Sequence, residues 1–192
     1  MADHDEEIEG QVIEQELDPE RETRRRFALA QIRQYPDAAL KMQARPVEAF
    51  DDELVKLVER MKQLMHDARG VGLAATQVGV LQRLFVFQTD GEGETVAVVN
   101  PEIVKRSDET DVADEGCLSI QGVTVPVERS IEVTLVGKDE RGEDVHYELD
   151  EYYARCAQHE LDHLDGVLML DRTTPEAKRE ALAVLRPRIV LT

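Results

Sequence analysis

Apolar residues recur at helical spacing after Asp51-Asp52, where Leu54, Leu57, Val58, Met61, Leu64 and Met65 trace a single face. Steps of three and four place them on one stripe, and the two aspartates suit the positive end of a helix, so a helix is expected from about residue 51. Downstream the period changes. Leu84–Gln88, Thr95–Val99 and, after the Asn100-Pro101 break, Ile103–Lys105 are short runs of strand type, with a turn over Gly91 to Glu94. Val123–Val127 and Ile131–Val136 continue the series, and Asp139 to Gly142 turn the chain into Val145–Leu149. Residues 107–115 are polar and acidic and read as a surface loop. A helix follows over about Asp150 to Leu164. A last helix opens at Thr174-Pro175, where proline at the first helical position sacrifices no hydrogen bond, and ends near Pro187. Strands followed by helices, without strict alternation, predict an α+β fold. Antiparallel sheets would pack around the helix at 150–164, with one helix N-terminal and one C-terminal to them.

Charge divides the chain. Residues 1–22 hold ten acids and one base, half of the net charge of −18, and show no apolar period. A segment that cannot bury apolar surface does not order, so residues 1–26 are expected to be an acidic extension that is disordered, or marginally helical at best over residues 1–22. Arg24-Arg25-Arg26 reads as a solvated basic patch. Residues 27–192 are expected to form one domain, beginning near Phe27 with loops through Tyr35-Pro36-Asp37 and Arg45-Pro46. The acidic balance argues against DNA as a partner, and no apolar run is long enough to span a membrane. Two cysteines are too few for a disulfide framework, and the acidic N-terminus is unlike an export signal or transit peptide. A cytoplasmic protein with reduced thiols is expected, and a monomer.

The chemistry concentrates in His159-Glu160-Leu161-Asp162-His163. Two histidines four apart leave a helix on the same face, within reach of one metal ion, and a glutamate beside the first is free to act as a base. Gly166 suits the left-handed residue that closes such a helix. A hydrolytic site takes about three protein ligands and keeps one position open. Cys156 shares the helix face but lies seven residues from His163, about 10 Å along the axis, too far to ligate beside both histidines. Cys117, after Gly116 in a distant segment, is the better third ligand; the same cysteine also reads as a small buried apolar group.

Gly70-Val71-Gly72-Leu73-Ala74-Ala75-Thr76-Gln77, Glu115-Gly116-Cys117-Leu118-Ser119 and Gln158-His159-Glu160-Leu161-Asp162-His163-Leu164-Asp165-Gly166 resemble, in order, the three motifs of the peptide deformylases. The likeness extends from about Phe27 to the region of Asp171. It implies hydrolytic removal of the formyl group from the N-terminal formylmethionine of new polypeptides, releasing formate. Cys117, His159 and His163 would hold one divalent metal, Fe2+ by the family's habit, with Zn2+, Ni2+ and Co2+ also suited. Glu160 would be the general base for a metal-activated water. The Gln77 side-chain amide and the Leu118 backbone N–H would steady the developing oxyanion. Gly72 would give the substrate backbone a surface to lie against, and Val71 and Cys156 would wall the methionine pocket. Arg129 matches a family arginine and is expected to pair with Asp162.

The partners implied are N-formylmethionyl nascent peptides, with transient ribosome contact; Lys178, Arg179, Arg186 and Arg188 on the last helix offer a basic face for it, or simply a solvated one. The chain departs from the family at Gln121, where a proline is usual, in the short segment Gly122-Val123-Thr124-Val125, and at Arg155 beside the pocket. These departures bear on peptide recognition rather than on chemistry. A metallopeptidase built on the same helix would take its third ligand downstream, yet no histidine follows His163. A metal-stabilised binding protein would close its fourth position, and no fourth ligand is evident.

Overall fold

The computed structural model describes residues 18–89 and 95–185. Most of the acidic extension, the expected turn at Gly91 to Glu94, and Arg186 and Arg188 lie outside them.

The first ordered element is a correction. Helix α1 (Pro19–Leu29) runs straight through the basic triplet and across the boundary expected at residue 26. Its start was signalled locally. Asp18 caps it by accepting from the Glu20 N–H at 3.1 Å, and Pro19 sits at the first position. High charge density concealed an apolar anchor of two residues, Ala28 and Leu29, which join the core.

Helix α2 (Asp52–Asp67) forms where the stripe predicts it. Asp51 caps it with two backbone N–H groups, and Leu54, Val58, Met61, Leu64 and Met65 are buried. It closes with paired bonds, Arg69 N–H to His66 O and Gly70 N–H to Met65 O, the Schellman arrangement. That motif puts the residue after the cap in the left-handed region, and Arg69 sits there at φ +60°. Glycine would hold that conformation about 1 kcal/mol more cheaply.

Five antiparallel strands form the main sheet in the order β1-β2-β3-β6-β7: β1 (Gly72–Ala74), β2 (Leu84–Gln88), β3 (Thr95–Arg106), β6 (Glu132–Lys138) and β7 (Asp144–Asp150). Alternation assigns its faces. Leu84, Val86, Ala97 and Val99 pack toward α2. Phe85, Phe87, Val98, Val133 and Leu135 pack toward the second long helix, α3 (Glu151–Leu164). Strand β2 is therefore covered on both sides, and Phe85 meets Phe87 edge-on at 5.4 Å between ring centres. Each such buried ring contributes about 1.5–3 kcal/mol by removal from water.

The expected break at Asn100-Pro101 is a shift of register inside one continuous strand. Pairing slips between Val99 and Glu102, and Asn100 takes φ +52° while its side chain bonds both backbone groups of Val47. The expected loop over 107–115 is largely strand. Here β4 (Thr110–Cys117) pairs with β5 (Ile120–Ser130) as a separate two-stranded sheet. Only one face of β4 is covered, by Ala113, Glu115 and Cys117, so its sequence is polar without being irregular. Two short helices, α4 (Met169–Arg172) and α5 (Pro175–Leu185), bury Leu170, Met169 and Ala181 against Ile120, Val125 and Val127 of that sheet. The result is an α+β fold with α3 at its centre, as expected.

Candidate active site

Helix α3 presents His159 and His163 one turn apart, their ring centres 4.9 Å from each other. Cys117 arrives from the end of β4. Its sulfur lies 3.2 Å from His163 Nε2, and one donor atom from each of the three residues falls within 4.8 Å of the others. A thiolate and two imidazoles form a donor set suited to a borderline divalent metal. The surroundings fit that use. His159 Nδ1 stands 2.9 Å from Glu115 Oε2, which fixes the ring and leaves its other nitrogen to ligate. Burial, and then the neighbouring His159, hold the His163 imidazole well below its usual range and so in the neutral, ligating form. Cys156 walls the cleft, its thiol 3.6 Å from the Val71 carbonyl.

Glu115, two residues before Cys117, holds the site's framework. Arg129 grips both of its oxygens, at 2.9 and 3.0 Å, and reaches Asp162 Oδ2 at 2.6 Å, so the expected Arg129–Asp162 pair is present. Burial would raise the Glu115 carboxyl, but hydrogen bonds from His159 and Arg129 hold it at about 2. Arg155 also binds Glu115, at 3.0 Å, and the Val127 and Asp111 carbonyls, which ties β4 and β5 to α3. Arg172 takes both oxygens of Asp162. One signal could have found Glu115: it lies two residues before Cys117 on a strand, and so on the same face.

Glu160 is 4% exposed, and its Oε2 is buried without a hydrogen-bond partner among the described residues. Burial pushes its carboxyl up to about 7, against the pull of His159. Gly72 is also constrained by its neighbour. A β-carbon there would stand 2.4 Å from Glu160 Oε1. Gly116, by contrast, has room: the nearest atom to such a carbon is 3.7 Å away.

Gln77 is 1% exposed and held in one orientation. Its Oε1 accepts from the Ala74 N–H at 2.8 Å, which turns Nε2 toward Ser119 Oγ at 3.1 Å and Cys117 Sγ at 3.6 Å. Leu118 lies in the turn between β4 and β5. Its carbonyl accepts from Gln34 Nε2 at 3.0 Å, and Gln34 in turn accepts from Gln121, so the residue standing in place of proline braces this turn. A cleft of about 500 Å³ brings Val71, Gly72, Leu118 and Cys156 together with Gln77 and Glu160. Cys117 and His159 line it too, and His163 lies beside them, its Nε2 3.2 Å from Cys117 Sγ.

A sulfur and two imidazoles beside a buried glutamate, at the floor of a cleft in an α+β fold, define a metal-dependent hydrolase. The family model for polypeptide deformylase matches residues 29–179. The peptide deformylase of Thermotoga maritima is 50% identical over 148 residues, which is 77% of this chain and 88% of that one. That of Clostridium botulinum is 47% identical over 77% of this chain and 99% of its own. A crystal structure of the Thermotoga maritima enzyme superposes with a TM-score of 0.72 at 49% identity, covering 75% of this chain and 97% of that one. The Synechococcus elongatus enzyme, solved in complex with actinonin, gives 0.76 at 38% identity, covering 80% and 86%. The chain belongs to the peptide deformylase family, hydrolases that take the formyl group from the N-termini of new polypeptides. Among the described residues no helix is long and apolar enough to cross a membrane.

Proposed function

We propose that Cys117, His159 and His163 hold one divalent metal and that Glu160, Gln77 and Leu118 carry out the deformylation around it. The observation that carries this reading is Glu160: a nearly fully buried carboxylate with an unpartnered oxygen, one residue from His159 and in the same cleft as Gln77. When bound, the metal supplies Lewis-acid polarisation of the formyl oxygen and acidifies the attacking water. Glu160 accepts the proton of that water as it adds to the formyl carbon, and a carboxyl held near neutrality can then return the proton to the leaving amine. The Gln77 Nε2 donor, oriented in advance by Ala74, and the Leu118 N–H stabilise the oxyanion. Val71 and Cys156 wall the pocket for the methionine side chain.

Fe2+ is the proposed native metal, with Zn2+, Ni2+ and Co2+ able to occupy the same donors; availability selects among them more than raw affinity. The substrates are formyl-methionyl nascent chains, met in the cytoplasm by a monomer in transient contact with ribosomes. Lys178 and Arg179 already have acidic neighbours in Asp171 and Glu176, which supports a solvated face rather than a docking one there. The test is formate release from a formyl-methionyl dipeptide by anaerobically prepared, metal-loaded protein. Glu160→Ala at matched metal content is expected to lose about 10²–10⁴-fold in kcat. Equal rates for the two proteins, or no release by the wild type, would overturn the assignment.

A further inference from the structure

The mouth of the cleft is built partly from residues that precede most of the family match. Arg25 and Leu29 of α1 line it, together with Arg69 from the end of α2, in the same cleft as Cys117 and Glu160. The family model's match begins at residue 29, so Arg25 lies outside it.

The two arginines are available for a ligand. Arg69 is exposed, and its side chain has no ion pair or hydrogen bond among the described residues. Arg25 has one partner, Glu22 on its own helix, at 3.6 Å with both side chains more than a third exposed. A surface pair of that kind holds its members weakly. The third arginine of the cleft, Arg155, is fully committed to Glu115 and to two backbone carbonyls. Of the acids lining the cleft, Glu115 is neutralised by Arg129 and Arg155, Glu160 faces the reaction centre, and only the exposed Asp114 opposes the two cations.

Arg69 also occupies its position at a conformational cost, in the left-handed residue of the helix-closing motif that glycine would fill more easily. A long cation in that conformation, lining a cleft, is the kind of local strain that marks a functional position. The spacing gives the subsite its place. Arg69 lies three residues before Gly72, against which Glu160 packs, and both line the same cleft. An extended substrate bound at Glu160 by its formyl group, advancing about 3.3 Å per residue, would carry its second and third residues along the cleft that Arg25 and Arg69 also line.

We propose that Arg25 and Arg69 form a carboxylate-binding subsite that favours formyl-methionyl chains with aspartate or glutamate at the second or third residue. The inference rests on the deformylase reading, and the test separates the two. Formate release is measured with C-terminally amidated formyl-Met-Ala-Asp, formyl-Met-Ala-Lys, formyl-Met-Asp-Ala and formyl-Met-Lys-Ala, and with formyl-Met-Ala-Ala as both free acid and amide. Wild-type protein is expected to prefer aspartate over lysine by about 10-fold in kcat/KM at low salt. The preference should shrink toward unity in 0.5 M salt as screening shortens the reach of exposed charges. Together, Arg25→Gln and Arg69→Gln are expected to abolish it. Arg69→Gly separates recognition from structure, because it should raise the melting temperature while lowering the ratio.

A wild type that turns over every peptide without regard to charge would overturn the subsite and leave the deformylase reading intact. A preference that survives in the double variant would overturn it equally. A preference for the free acid over the amide, with none for aspartate over lysine, would show a site for chain termini and overturn side-chain recognition. No formate from any peptide would overturn the deformylase reading and the subsite with it.

Discussion

The Glu160 carboxylate lies against the bare α-carbon of Gly72, so closely that a β-carbon on Gly72 would fall 2.4 Å from Oε1 and 2.8 Å from Cδ and Cγ. Gly72 opens β1, and Glu160 sits on α3. The seat of the base is thus set by two segments far apart in sequence.

Replacing Gly72 with alanine is expected to displace Glu160 by about the ångström that costs roughly 10²-fold in rate. Cys117, His159 and His163 are untouched by the change, so metal content should hold. Formate kinetics beside elemental analysis of the same sample checks this; a variant with wild-type kcat would show that the contact is dispensable.

Arg129 stands between Glu115 and Asp162, each side chain largely out of water. Removing one member of a buried ion pair costs about 3–5 kcal/mol. Arg129→Ala belongs at the lower end, because Arg155 and His159 still hold Glu115 and Arg172 still holds Asp162. Metal affinity should fall about 10–100-fold as Glu115 loosens its grip on His159. Denaturant unfolding and competition with a chelator measure the two effects separately. Arg129→Lys should restore little, since an ammonium cannot reproduce the fork on Glu115.

Asp171 offers a pH dependence away from the metal ligands. Burial raises its carboxyl, but hydrogen bonds from Lys41, the Leu168 N–H and Lys178 bring it down to about 2. A carboxyl depressed in the folded state stabilises fully above its unfolded pKa, and that contribution disappears as pH falls through the folded value. Stability attributable to Asp171 is therefore present above about pH 4 and lost toward pH 2. The group is largely exposed, so the loss is small. Comparing melting temperatures of wild type and Asp171→Asn, the gap between them should close as pH drops from 5 to 2; a gap that widens would contradict the assignment.

Elements with strong periods were legible in the sequence. Helix α2 showed its stripe, strand β2 its apolar run, and helix α3 its motif and its stop, for Gly166 does take φ +71° and also lies where a β-carbon would meet the Lys41 carbonyl at 2.6 Å. Strand β4 was not legible, because its pairing with β5 is made by backbone and only one face is covered. Helix α1 was hidden because its two-residue anchor is too short to register against its charge. At the site, the motifs gave the residues but not their reasons. The need for Gly72 and the grip of Glu115 on His159 are tertiary facts, and neither has a trace in local spacing beyond the two-residue step from Glu115 to Cys117. Arg155, expected beside the pocket, does line the cleft and also ties two strands to the central helix.

Helix α3 carries Cys156, His159, Glu160, Asp162 and His163 within two turns. The proposed pocket wall, two proposed ligands and the proposed base are therefore mounted on one rod and move with it. If the rod rocks, what changes is its distance from Cys117 and Gln77, which are anchored elsewhere. The tolerance of the whole machine is concentrated at a single joint, between the end of β4 and the middle of α3. Glu115 spans that joint through His159, and a metal held by Cys117 on one side and the two histidines on the other would span it a second time.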